Sequence, residues 1–418
     1  MVLPPRVRRR GPDGLPLFID IAYLRGDGLA DAEVPDRAFL HSSGTHGVEG
    51  FVGSAVQVRL LTEAAAGRRP ELTPPPRGMT VLIHAVNPFG FAWNRRFSPT
   101  NCDLNRNWLV PSSFEEQAAA GLPALFHAYR DLIAPDAVPD PTSWSEWAWT
   151  RARAGLAIAL HGLDSLKAAV AAGHRVLPSA MYFGGTELQQ EPLLIMAGLE
   201  AVGMLQRAPP ASRALAAAAE AARPAWAPWA AADAAGIWEG LRGPGSLVSV
   251  DVHSGLGLPG QSSLLLSGSG PRGKEASFVR RAVGVESHDA TVPLKRAVVQ
   301  DACASGSSGV AYEIRGGFAE ALAAVPGPEA GAGEPFAGLG AEDRVCVVQE
   351  FGTVPPTSVF FALRAESALH RERPGAPPSH PLRQALLRAF LPEDAAWRRE
   401  CLSQGEAVAA RLAASVFR

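Results

Sequence analysis

The stretch Thr45–Gly50 (THGVEG) follows a short β-type run, Ala38–Leu40, and carries two residue types that bind metals. His46 and Glu49 are three positions apart, so on a first helical turn both side chains can face one ion. A second histidine, His253, lies far downstream in the segment SVDVHSGLG. Together these residues predict a zinc site with three protein ligands and a fourth position for water, the open arrangement of catalytic rather than structural zinc.

The composition narrows the class of partner. The chain has 418 residues with 39 Lys and Arg against 41 Asp and Glu, a formal charge of −2. This balance gives no electrostatic basis for binding nucleic acid or an anionic membrane. No run approaches the ~20 apolar residues of a membrane span. The expected partner is therefore a small peptide or another small molecule; the sequence does not indicate an oligomeric state.

The cysteines and the N-terminal residues indicate a compartment. Four cysteines are widely spaced, without a C-x-x-C pair, which favours free thiols in a reducing environment. Basic residues occur within Met1–Arg10, but no apolar stretch follows them, so a secretory signal is not expected. We expect a cytoplasmic protein.

Short β-type runs alternate with alanine-rich helical segments, which is typical of an α/β sheet covered on both faces. Ser112–Glu116 and Ser143–Glu146 offer capping boxes for helices towards Ile133 and about Ala172. The β-type runs are Leu15–Tyr23, Ala38–Leu40, Met79–Val86, Leu247–Val252, Ser263–Leu266, Val310–Ile314 and Arg344–Val348.

This organisation predicts one α/β domain over residues 1–418. It carries a helical insertion at about 112–243, which we expect to cover one side of the site, and a C-terminal helical segment at about 358–418. The tract Pro326–Pro335, rich in proline and glycine, is interpreted as a connecting loop between two strands.

A donor-rich cluster follows the β-type run at Met79–Val86. Asn87–Phe97 contains two arginines and two asparagines among aromatic residues, and Asp103–Trp108 (DLNRNW) follows after a few polar positions. The planar fork of arginine suits carboxylates. This region therefore predicts a surface that binds an anionic group.

Taken in order, these motifs resemble those of the zinc carboxypeptidase family, including its aspartoacylase and succinylglutamate desuccinylase branch, with a bacterial subgroup as the nearest relatives. The resemblance spans about Phe39–Thr353. It implies the fold of that family, a phosphorylase/hydrolase-like mixed central sheet flanked by helices. The matching pieces are His46-x-x-Glu49, Arg95 or Arg96, Asp103–Trp108, Asp251-Val252-His253 and Glu350.

The resemblance assigns the metal ligands and their support. His46, Glu49 and His253 would hold one zinc ion per chain. Asp103 would accept the other ring N–H of His46 and so fix the orientation of the imidazole. Asn105 and Arg106 match the residues that bind the free carboxylate of the substrate.

The resemblance also assigns the groups that act on the scissile bond. Arg96 best matches the arginine that polarises the carbonyl, and Arg95 is the alternative. Glu350 matches the general acid/base, which takes a proton from water and passes it to the leaving nitrogen. The carboxypeptidase branch has a tyrosine before this glutamate; Tyr312 is the nearby candidate for that substrate-binding role.

The activity implied is that of a zinc metallocarboxypeptidase, which cleaves an amide bond next to a free carboxylate. An N-acyl amino acid deacylase is the alternative, because that branch shares the same motifs. A non-catalytic ligand-binding protein on the same fold is the third interpretation.

Two other motifs are weaker. Gly255–Gly260 satisfies the dinucleotide pattern G-x-G-x-x-G, but Pro259 fits poorly in the helix that this motif opens. These glycines are instead expected to let the backbone pass close to the metal site. Gly306–Gly309 lacks the spacing of the G-x-S-x-G elbow, so serine hydrolysis is poorly supported.

Overall fold

The strands of the fold follow the apolar runs of the sequence. The computed structural model describes residues 6–30, 33–123, 125–140, 143–162, 173–207, 241–266, 272–284, 298–301, 316–325, 327 and 344–418. In chain order the strands are β1 (Arg6–Arg10), β2 (Pro16–Phe18), β3 (Asp20–Arg25), β4 (Arg37–Ser43), β5 (Gly78–His84), β6 (Gln206–Arg207), β7 (Leu241–Arg242), β8 (Ser246–Ser254), β9 (Ser262–Leu266), β10 (Val298–Asp301) and β11 (Arg344–Phe351).

Seven of these strands form one mixed sheet in the order β10-β9-β11-β8-β4-β5-β3. β4 is parallel to β5 and β8, and β8 is parallel to β11. β9 runs antiparallel to β11, and β3 runs antiparallel to β5. The carboxyl ends of β4, β8 and β11 therefore meet at one edge, where open α/β sheets bind their ligands. The predicted mixed central sheet is confirmed.

Helices cover both faces of this sheet, because its central strands are apolar on both sides. Phe39 and Leu40 are consecutive in β4 and pack into different hydrophobic clusters. Burial of such a side chain contributes roughly 1.5–3 kcal/mol. The helices are α1 (Gly50–Ala65), α2 (Pro88–Trp93), α3 (Pro111–Ala120), α4 (Phe126–Ile133), α5 (Trp144–His161), α6 (Gln190–Ala201), α7 (Arg272–Val283), α8 (Phe318–Ala324), α9 (Pro356–Glu372), α10 (Pro381–Phe390) and α11 (Ala395–Val416).

The cluster with Leu40 contains residues of α6 and α8, and the cluster with Phe39 contains residues of α1, α7 and α11. Of the C-terminal helices, α11 therefore packs on the sheet itself, whereas buried residues of α9 and α10 pack in a separate cluster with Phe97 and Phe126. Among the described residues, no helix has both the length and the apolar character needed to cross a membrane. Cys102, Cys346 and Cys401 are buried free thiols, and Cys303 lies outside the described residues.

Two predicted helix boundaries are wrong. The helix expected from Ser112 to Ile133 is two helices, because Gly121 adopts a left-handed φ of 76° between them. Pro111 begins the first of these and Val110 precedes it without a side-chain cap, so the serines lie inside the first turn. Ser143, by contrast, caps α5 through a bond from the Glu146 amide.

The described part of the insertion is only partly helical. Its 173–189 segment is mostly irregular, and β6 pairs with β7 at its far end. Residues 163–172 and 208–240 lie outside the described residues, as does the predicted strand Val310–Ile314. The connecting loop Pro326–Pro335 also lies outside them, except for Gly327. The division into one domain with an insertion stays a prediction.

Candidate metal centre

Three sheet strands place the predicted ligands and base together. His46 lies shortly after the end of β4. His253 is the next-to-last residue of β8, and Glu350 is the next-to-last residue of β11. In the register of the parallel pair, Glu350 stands beside His253. Sequence positions that are 97 to 304 residues apart thus meet at the carboxyl edge of the sheet.

The donor atoms of His46, Glu49 and His253 converge on one point. The two Nδ1 atoms are 3.1 Å apart, and they lie 3.1 Å and 2.9 Å from the Glu49 carboxylate. One ligand atom from each residue lies within 4.8 Å of the others, and all three side chains are buried. Glu49 reaches this point because Gly47–Glu49 forms a 3₁₀ turn directly after His46.

The outer nitrogen of each histidine lies against a carboxylate. His46 Nε2 is 3.0 Å from Asp103 Oδ1, and His253 Nε2 is 2.7 Å from Asp251 Oδ2. Asp251 is itself held by hydroxyl donors from Ser42 at 2.7 Å and Thr45 at 3.0 Å. Carboxylates in these positions accept hydrogen bonds from Nε2–H, so that both Nδ1 atoms face inward.

This donor set fits a divalent metal ion. Two inward lone pairs and a carboxylate at about 3 Å repel one another unless a cation, or an extra proton, lies between them. Two imidazoles and one carboxylate are also a ligand set of catalytic metal sites that keep an open position. The three residues could therefore hold an ion that has room for water or substrate.

The pKa values of the two glutamates at the site, Glu49 and Glu350, are shifted in opposite directions. Burial favours protonation of Glu49, but the charges of His46 and Arg96 hold its pKa below the usual value. Burial, together with the nearby Glu49 charge, raises the pKa of Glu350 to about 8. Carboxyl groups separated in this way take different roles: Glu49 suits a ligand, whereas Glu350 suits a group that gives and takes a proton near neutral pH.

Glu350 is oriented by the glycine-rich segment after β8. Its Oε1 accepts a hydrogen bond from the Leu256 amide at 2.9 Å. Gly255 and Gly257 have φ values of 133° and 109°, a region that favours glycine, and Gly255 donates to the Phe351 carbonyl. These contacts place the glycine-rich backbone next to Glu350 and Phe351.

The side chains of Arg95 and Arg96 point to different parts of the structure. Arg96 Nη1 donates to Glu49 Oε1, and its Nη2 lies 3.5 Å from Asp103 Oδ2. Arg95 is fully buried elsewhere, where its Nε donates to Glu366 at 2.7 Å. Arg96 is thus the arginine that lies at the donor set.

The DLNRNW segment forms a 3₁₀ turn beside the site. Asp103 caps this turn by accepting from the Asn105 amide, and its Oδ2 lies 3.7 Å from Arg106 Nη1. Asn105 Oδ1 accepts from the Phe318 amide at 3.1 Å, which ties the turn to α8. The Arg106 side chain has no exposed surface.

Two residues beside the site, Asp251 and Tyr182, had no chemical role assigned from the sequence. Asp251 precedes His253 by two residues, and the two-residue period of a strand puts both on one face, which is the signal that identifies it. Tyr182 lies in the insertion, and its ring lies over the guanidinium groups of both Arg96 and Arg106. No sequence spacing relates it to them. The predicted Tyr312 lies outside the described residues.

The fold and this site define a mixed α/β protein with a candidate metal centre at the carboxyl edge of its sheet. The chain belongs to the family described as "Protein of unknown function (DUF2817)", whose model matches residues 5–196 and 237–404. No curated protein matches the chain at a significant level.

Several solved structures are similar to the chain. A metallo-carboxypeptidase from Burkholderia cenocepacia has 13% identity and a TM-score of 0.37; the match covers 99% of this chain and 65% of that one, less than two thirds of its length. Carboxypeptidase A from Helicoverpa armigera has 11% identity, a TM-score of 0.34 and coverages of 90% and 67%. Murine aminoacylase 3 has 13% identity, a TM-score of 0.24 and coverages of 80% and 63%.

Proposed function

We propose that this protein is a zinc-dependent hydrolase that cleaves an amide bond next to a free carboxylate, with small peptides as the first substrate class. The observation that carries the proposal is the convergence of His46 Nδ1, Glu49 and His253 Nδ1 beside Glu350. This arrangement joins a metal-binding donor set to a neighbouring buried carboxyl group whose pKa is raised by burial and by the Glu49 charge.

Each residue has a chemical task in this proposal. A zinc ion held by His46, Glu49 and His253 would supply Lewis acidity to water and to the substrate carbonyl. Glu350 would hold the proton removed from the attacking water and deliver it to the leaving nitrogen. Arg96 would stabilise the negative charge that develops on the carbonyl oxygen.

The carboxylate end of the substrate would be held by the turn at Asn105 and Arg106. Arginine pairs with a carboxylate through two parallel N–H bonds, so it both binds and orients that group. The buried position of Arg106 favours small ligands over folded proteins.

The same burial favours a second candidate function, N-acyl amino acid deacylation, since its substrates are small and also carry a free carboxylate. A panel of dipeptides, C-terminally amidated dipeptides and N-acyl amino acids separates the two. Hydrolysis of the dipeptides but not of their amides supports the peptidase; hydrolysis of the acyl amino acids alone supports the deacylase. The cytoplasmic location stays a prediction from the sequence.

Metal analysis is the first test. We expect about one zinc per chain in the wild type and none in His253→Ala, because two ligands cannot retain the ion. His84→Ala is the matched control, since His84 also lies at the end of a sheet strand but outside the donor set. Undiminished zinc in His253→Ala would contradict the proposed ligand set.

A further inference from the structure

The 173–187 segment of the insertion is bonded to the turn that carries Arg106. The Asp103 amide donates to the Phe183 carbonyl at 2.7 Å, and Asn107 Nδ2 donates to the Gly184 carbonyl at 2.8 Å. Arg175 Nη2 donates to the carbonyl of Arg106. These bonds fix the segment relative to the candidate site rather than leaving it as a loop that only passes over it.

Tyr182 occupies a special backbone position in this segment. Its φ of 63° is left-handed, which is unusual and strained for a bulky residue. Bonds on both sides hold it there: the Met181 amide donates to the Ile133 carbonyl, and the Gly184 amide donates to the His174 carbonyl. Strain of this kind persists where the surrounding structure over-determines it, and it is concentrated at functional sites.

The strained backbone directs the Tyr182 ring at the two site arginines. The ring centroid lies 5.5 Å from Arg96 Cζ and 5.8 Å from Arg106 Cζ, within the range of cation–π attraction. The ring also makes an edge contact with Phe97 at 6.1 Å. Met181 and Phe183 are buried, whereas Tyr182 is half-buried. The Tyr182 ring thus forms one side of the site and covers the guanidinium of Arg106, which is predicted to bind a carboxylate.

We propose that Tyr182 is a specificity-determining residue, which selects small carboxylates that carry an apolar or aromatic group next to the carboxylate. A carboxylate paired with Arg106 would place its neighbouring substituent against the Tyr182 ring, where apolar contact is favourable and the guanidinium groups of Arg96 and Arg106 disfavour a cationic substituent. The inference rests on the proposed carboxylate site at Arg106, and it names the class of substrate that this site takes.

Binding can be tested without turnover when Glu350→Gln, which lacks the proposed base, is the parent of every variant. Calorimetry with N-acetylphenylalanine and N-acetylglycine gives two dissociation constants, and N-acetylphenylalanine amide is the neutral control. Tyr182→Asn removes the ring with a residue type that tolerates left-handed backbone. We expect this variant to weaken N-acetylphenylalanine binding by roughly tenfold and N-acetylglycine binding by less than about threefold. Tyr182→Phe should keep the parent's ratio of the two constants.

Two further variants separate the causes. Tyr23→Asn removes a half-buried tyrosine on β3, away from the site, and should leave both constants unchanged. Arg106→Ala should weaken both carboxylates alike. If Arg106→Ala weakens both but Tyr182→Asn leaves their ratio unchanged, the role of Tyr182 is overturned and the carboxylate site stands. If the parent binds neither carboxylate more tightly than the amide, the inference is overturned, while zinc content and hydrolysis test the proposed function separately.

Discussion

Arg95 and Arg96 are neighbours in the chain, but their side chains belong to two different buried networks. Arg95 lies with Glu366 and Arg383, all three fully buried; Glu366 Oε1 is 2.7 Å from Arg95 Nε and 3.5 Å from Arg383 Nε. Arg95 also donates to the Ser98 carbonyl and to Asn101. In this cluster the cationic side chains face acceptors, which is typical of a buried ion-pair network with a structural role.

The network of Arg96 differs in what lies at its centre. There the Nδ1 atoms of His46 and His253 and the carboxylate of Glu49 face one another, with their outer atoms held by Asp103 and Asp251. Both networks are buried and charged, so burial and charge do not by themselves mark a functional site. Convergence of acceptor atoms on one point indicates one, because such a point needs a cation or a proton.

The largest expected effect is on catalysis, from Glu350→Gln. The amide cannot take up a proton, so we expect turnover to fall by roughly 10²–10⁴-fold while zinc content and the unfolding midpoint are kept. Hydrolysis of the best substrate in the panel, zinc analysis and urea unfolding measure the three quantities. Preserved turnover would remove Glu350 as the base.

The next effect is on stability, from Glu366→Gln in the other network. Losing the shared carboxylate leaves Arg95 and Arg383 buried without their anion, so the free energy of unfolding should fall by about 3–5 kcal/mol. Urea unfolding followed by tryptophan fluorescence measures it. Zinc content should not change in the folded variant; loss of zinc at unchanged stability would mean that the two networks are not separate.

Arg96→Ala should have a large effect on catalysis and a small effect on stability, the opposite of Glu366→Gln. The donor to the developing charge is removed, so kcat/KM should fall by roughly 10²–10³-fold, with a smaller change in stability. Steady-state kinetics and urea unfolding on the same preparation distinguish the two. If Arg96→Ala is destabilised as much as Glu366→Gln but turns over substrate normally, Arg96 has a structural role and not a catalytic one.

The smallest effect is expected from Asp251→Asn. The carboxamide still fills the position but holds the His253 imidazole less firmly, so zinc affinity should fall by roughly 10–100-fold. Competition with a chelator of known affinity measures it. Ser42→Ala, which removes one donor to Asp251, is the graded companion and should fall between the wild type and Asp251→Asn. Equal zinc affinity in all three would exclude support through Asp251.

Much of the fold could be read from the sequence, since short apolar runs such as Ala38–Leu40 and Leu247–Val252 are typical of strands buried between two layers of helices. Element ends were less predictable. Gly121 divides a helix that the apolar pattern joins, and Pro111 begins a helix that the serine caps place later. A backbone angle at one glycine, and the rigid φ of one proline, decided these boundaries.

The sequence by itself predicted His46, Glu49, His253 and Glu350 as site residues, because each lies in a recognisable local motif. Only the tertiary structure decided which arginine faces the donor set, which carboxylate holds His253, and that Tyr182 covers Arg106. Consecutive side chains can turn in opposite directions, and contacts between Tyr182 and Arg106 depend on how the chain packs across 75 intervening positions. Such contacts are set by packing between distant segments, which leaves no periodic trace in the sequence.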